Sequence, residues 1–133
     1  MNQTSQIRVA MESNRKFRHH RAPYYRAQAW QPLDSNGLGK PAVQIFLTQR
    51  AFVRICMHAG SDLMNEVGGW LAGKNYIDKE TGKQFIVINT ILPAEFTVKG
   101  SAFLTFTQES QVNMHATMAD SYPDLMLLGW FHT

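Results

Sequence analysis

A single cysteine, Cys56, stands among 133 residues. One thiol excludes an intramolecular disulfide and any zinc site built from several cysteines, and it fits a reducing compartment. Long apolar runs are missing too, since every stretch falls far short of the roughly 18 residues that a membrane-spanning helix needs. The N-terminus, with Asn2, Gln3, Thr4, Ser5 and Gln6, places no apolar block behind a basic start, so no signal peptide is expected. Gly68 and Gly69 belong to no GxGxxG or Walker pattern, which excludes the usual phosphate-binding loops. There is no internal repeat and no low-complexity tract. These absences lead to the expectation of a soluble, cytoplasmic protein with no membrane partner.

What is present suits one globular domain. The length and the 44% apolar content allow a single core but not two ordinary ones. Charge amounts to 17% of residues and is unevenly placed. Residues 1–40 carry seven basic side chains (Arg8, Arg15, Lys16, Arg18, Arg21, Arg26, Lys40) against Glu12 and Asp34, a net +5, which leaves −2 for residues 41–133. The basic character therefore belongs to an N-terminal segment. Residues 1–40 read as a mostly irregular basic arm, with a short element around Ile7 to Met11 and a linker from Asp34 to Gly39. Residues 41–133 read as the folded domain.

Within that domain Val43, Ile45 and Leu47 alternate with Gln44 and Phe46, as in a strand. Thr48 can cap a helix with Phe52, Ile55, Cys56, Ala59 and Leu63 on its buried face, ended by Gly60. Val67 to Lys74 and Gln84 to Leu92 read as strands joined in a hairpin through the polar stretch Asp78 to Lys83. Phe103 to Phe106 suggests a further strand. A second helix is expected from about Gln108 to Tyr122, burying Val112, His115, Ala116, Ala119 and Tyr122 and stopped by Pro123. Leu125 to Phe131 is apolar without alternation, as in a central strand covered on both faces. The order of elements predicts an α/β fold, a mixed sheet sandwiched by helices.

Two segments carry the candidate chemistry: Glu66-Val67-Gly68-Gly69-Trp70-Leu71-Ala72-Gly73, where a helix gives way to a strand, and Leu128-Gly129-Trp130-Phe131-His132-Thr133, at the end of a buried strand. A carboxylate at one strand start and an imidazole at another strand end can converge, a combination suited to a metal-bound water with a nearby base. Each alone is ordinary, a solvated or capping glutamate and a structural or exposed histidine. The two glycines suit close backbone approach beside the Glu66 carboxylate.

Together these segments, EVGGWLAG at Glu66 to Gly73 and YPDLMLLGWFHT at Tyr122 to Thr133, resemble the JAMM (JAB/MPN) metalloprotease family, of the prokaryotic JAB type. The resemblance covers about Val43 to Thr133, the first two-thirds or so of a family domain, with cytidine-deaminase-like layering. It implies a zinc-dependent hydrolase of amide or isopeptide bonds, deubiquitinase-like, acting on a ubiquitin-like or sulfur-carrier protein or on a peptide. By that resemblance His132 is a ligand of Zn2+ and Glu66 is the general base. The family pattern continues with a second histidine, a serine and an aspartate that have no counterpart up to Thr133. The expectation is thus a domain cut inside its His-x-His motif, with the final apolar strand thinly covered. One ligand of the usual three cannot hold catalytic zinc tightly, so these 133 residues are expected to be inactive by themselves. A non-catalytic MPN-like protein-interaction scaffold is the alternative.

Other residues invite plainer readings. Phe17, Arg18, His19, His20, Arg21, Tyr24, Tyr25, Arg26 and Trp30 interleave rings with cations, a pattern that can bind nucleic acid but also suits a solvated arm docking on its own domain or on a partner. The docking reading is the preferred one. His19 and His20 point apart on an extended chain and make poor joint ligands. Cys56 is expected to be a buried thiol, His58 to lie off the buried face of its helix, and His115 to lie on the buried face of the second.

Overall fold

The computed structural model describes residues 17–30 and 43–133. The expected short element near Ile7 and the linker near Gly37 lie outside them. The polar stretch Asp78 to Lys83 turns the chain back as anticipated, with Gly82 at a positive φ of 68° in the turn. The apolar runs on either side become the two long strands, β3 (Gly68–Asp78) and β4 (Gln84–Pro93), paired antiparallel from Gly69↔Pro93 to Ile77↔Gln84. The register shifts between Ala72 and Gly73.

Around this hairpin a five-stranded mixed sheet forms. The short strand β2 (Gln44–Leu47) runs parallel to β4. On the other side of β3, β7 (Met126–His132) pairs antiparallel with Gly68 to Gly73, and β1 (Arg18–His20) pairs parallel with Tyr76 to Asp78. A separate ribbon joins β5 (Val98–Gly100) to β6 (Phe103–Thr105). Two helices complete the architecture, α1 (Gln49–Ala59) and α2 (Gln108–Ser121). The fold is α/β.

Thr48 caps α1 by accepting a hydrogen bond from the Ala51 amide, and Thr107 does the same for α2 with Ser110. The faces these helices bury differ from those expected. In α1, Ala51 is fully buried and Arg54, Ile55, His58 and Ala59 are half-buried, while Phe52, Cys56 and Met57 face outward. Leu63 lies beyond the helix and is exposed. The face is turned because its polar members find partners: the Arg54 guanidinium donates to the Thr90 hydroxyl, and His58 bonds the Gly68 carbonyl. Cys56 is therefore an exposed thiol, not a buried one.

In α2 the buried residues are Ser110 and Met114, with Met118 and Tyr122 packed beside them, whereas Val112, His115, Ala116 and Ala119 are exposed. The methionines reach further than valine or alanine and fill the space over the sheet. Met114 packs with Trp70, Ala72 and Leu92, joined by Phe106, Met118 and Leu125. Burying a side chain of this size contributes roughly 1.5–3 kcal/mol.

A second core unites Ala22, Phe46 and Phe85 with Tyr76 and Val87. Its first member comes from the segment read as an irregular arm, and β1 is part of the sheet. Asp78, buried at the end of β3, holds that segment by accepting from the Ala22 amide at 2.8 Å and from the Thr81 amide and hydroxyl at 3.0 and 2.7 Å. The apolar strand β7 is not central: among the described residues it pairs with β3 alone, and Leu127 and Trp130 are exposed.

Candidate functional site

The site grows from the junction of two strand ends. Thr133 donates its amide to the Val67 carbonyl at 2.9 Å, and its hydroxyl accepts from the Val67 amide at 3.1 Å. This reciprocal pair fixes the register in which Gly68 stands opposite His132. Glu66 and His132 each lie one residue from the lock, and the lock brings their side chains together. The Glu66 Oε2 to His132 Nδ1 distance is 3.5 Å, with the carboxylate side chain 23% and the imidazole 48% exposed. That distance makes an ion pair when the imidazole is protonated and is too long for a short hydrogen bond.

Both groups are held by neighbours. The His132 Nδ1 also lies 3.2 Å from its neighbour's carbonyl, at Thr133, and the Trp130 ring stacks on the imidazole at 5.6 Å between centroids, inclined by 18°. Glu66 donates its amide to the Gly100 carbonyl at 2.8 Å, which ties the approach to β3 onto β5. The loop before it is an Asp62-centred turn, whose carboxylate accepts from the Met64 and Asn65 amides at 3.0 Å and from Lys99 Nζ at 2.8 Å. Lys99, Asn65 and the two amides hold the Asp62 carboxyl well below the usual carboxylate range.

The glycines at this end permit the strand spacing, as the sequence implied. A Cβ on Gly68 would lie 2.4 Å from the Phe131 carbonyl oxygen, and one on Gly69 would lie 2.3 Å from that of Leu92. His58, expected to lie off the inward face, is a further member of the site that the sequence reading did not assign. Its Nε2 donates to the Gly68 carbonyl at 2.9 Å, and its ring meets Phe131 edge-on. Apolar periodicity could not reveal it, because a histidine counts as polar until its acceptor is known. Arg54 and Thr90 were missed for the same reason, whereas Tyr122 was expected on the inward face of the second helix and packs there. Arg54, with help from Thr90, holds the Tyr122 phenol below its ordinary range. His115 is exposed on α2, and His19 and His20 lie on β1 at the far end of β3.

Among the described residues no group of three His, Cys, Asp or Glu side chains is placed to hold a metal ion. Glu66 and His132 supply one imidazole and one adjacent carboxylate, whereas catalytic zinc takes three protein ligands. The described donor set falls short of the three protein ligands that catalytic zinc takes. Among the described residues no helix is long and apolar enough to cross a membrane. Compared with protein-family models and with curated proteins, the chain matches none.

Proposed function

We propose that this chain carries the Glu66 and His132 portion of a JAMM-type zinc hydrolase, one that cleaves an amide or isopeptide bond. The observation that carries the reading is the 3.5 Å approach of Glu66 Oε2 to His132 Nδ1, enforced by the Val67 and Thr133 backbone lock. In a complete centre zinc lowers the pKa of a bound water and polarises the carbonyl to be attacked. His132 would offer a ring nitrogen as a ligand, its imidazole stacked against Trp130. Glu66 would hold the proton taken from water on its carboxylate and deliver it to the leaving amine. A ubiquitin-like or sulfur-carrier protein, or a peptide, is the substrate class that the resemblance suggests, and the cytoplasm is the compartment that suits the lone thiol.

The test is zinc stoichiometry by elemental analysis, in protein made with whatever residues its reading frame encodes after Thr133. The reading expects about one zinc per chain in that protein, its loss in His132→Ala, and no stoichiometric zinc in residues 1–133 alone. Full zinc retention in His132→Ala would remove His132 from the ligand set. A longer protein that binds no zinc at all would favour an MPN-like interaction scaffold.

A further inference from the structure

We propose that the end of the molecule opposite Glu66 and His132 binds single-stranded nucleic acid. Residues 17–30 contain Arg18, Arg21 and Arg26 and no aspartate or glutamate. They are not a loose arm: β1 pairs with Tyr76 to Asp78, the Lys79 amide donates to the His20 carbonyl at 3.0 Å, and Ala22 is buried against Asp78. The rings that follow are thereby presented at a defined place on the surface. Trp30 is 83% exposed, Tyr25 69% and Tyr24 56%. Large apolar rings left in water and clustered in one segment mark a surface with a use.

The cations are arranged around those rings. The guanidinium carbons of Arg21 and Arg26 lie 5.7 and 5.3 Å from the Tyr25 centroid, within cation–π range. The hairpin turn adds Lys79 and Lys83 beside them. Its two acids are occupied, Asp78 by the Ala22 and Thr81 donors and Glu80 by Arg21 at 3.0 Å. Among the described residues Arg18, Arg26, Lys79 and Lys83 take part in no ion pair. Beside Arg18, a cavity of about 640 Å³ opens between the start of β1 and the start of β7, lined by Lys74 and Asn75 and by one acid, Asp124.

Alternating rings and cations distinguish the ligand class. An acidic peptide would use the arginines and lysines and leave the rings idle, and a duplex offers no unstacked bases. A single strand uses both, with phosphates on the cations and bases on the rings.

The experiment is fluorescence anisotropy of a labelled 15-nucleotide oligo(U) with the intact 133-residue chain, over a range of salt concentrations. Binding through three or four phosphates predicts a slope of log affinity on log salt of about −2 to −3. Tyr25→Ala or Trp30→Ala should weaken binding about 5- to 100-fold, and Arg26→Gln should reduce the slope by about 0.7, with circular dichroism and thermal melting unchanged. Point variants are preferred to deletion, which would unpair β1. No binding at 50 mM salt would overturn the proposal. So would equal affinity of wild type and Tyr25→Ala for the oligonucleotide, with polyglutamate competing equally well, the behaviour of a surface for an acidic protein.

Discussion

At the scale of single residues, the carboxylates Asp62 and Asp78 set the acid response of the fold. Hydrogen-bond donors hold both below the ordinary carboxylate range, the main one being Lys99 for Asp62 and the Ala22 amide for Asp78. The unfolded chain then binds more protons than the folded one as pH falls through that range, so this stabilisation is complete above about pH 5 and is lost on further acidification. In urea denaturation the stability gap between wild type and Asp78→Asn should be widest at pH 7 and should shrink on acidification below about pH 4, as the Asp78 carboxylate takes up its proton. A gap that does not change with pH would show that the Asp78 charge contributes nothing. Glycines give a second contrast. A Cβ on Gly69 would meet the Leu92 carbonyl oxygen at 2.3 Å, whereas one on Gly129 would meet only the Leu71 Cδ1 at 3.8 Å. Gly69→Ala should therefore cost about 1–3 kcal/mol and Gly129→Ala under about 0.5 kcal/mol, both measured by chemical denaturation. The pairing of Glu66 with His132 was foreseeable in the sequence because both sit at ends of recognisable strands. The Asp62 and Asp78 clusters were not, because their donors are backbone amides and a lysine 37 positions away.

At the scale of elements, the hairpin of β3 and β4 follows from two apolar runs and a polar turn, all local signals. The helix faces do not follow, because apolar periodicity treats Arg54 and His58 as outward residues. Thr90 and the Gly68 carbonyl reverse that by offering them partners. The α2 face is turned towards Met114 and Met118, so Met114→Ala should destabilise the fold by about 2–5 kcal/mol. Val112→Ala should stay within about 0.5 kcal/mol, since Val112 is exposed. Equal losses from the two substitutions would mean that α2 buries the face its valine and alanines suggest. The strand β1 escaped the sequence reading for another reason: three residues carry no periodicity, and the carboxylate that holds the following segment is 56 positions from Ala22. Slow amide exchange at Ala22, matching that of β3, is the expected sign of this docking.

At the scale of the molecule, β3 separates two regions of different chemistry. Its start carries the glutamate and the imidazole, its end the basic and aromatic surface, and ten residue steps of extended chain put them about 33 Å apart. At that separation, substitutions in the two regions should add independently, so Arg26→Gln should leave zinc binding unchanged. The sheet joins the regions through one strand, and the edge strand β7 completes the first of them through the Val67 and Thr133 lock. In the proposed function Glu66 moves the proton beside a metal-ligating His132. The deciding experiment is hydrolysis of a Gly-Gly-linked isopeptide, wild type against Glu66→Gln at equal zinc content, in protein carrying whatever residues its reading frame encodes after Thr133. Glu66→Gln should be slower by at least about 100-fold with zinc retained. Equal rates in the two proteins would contradict it.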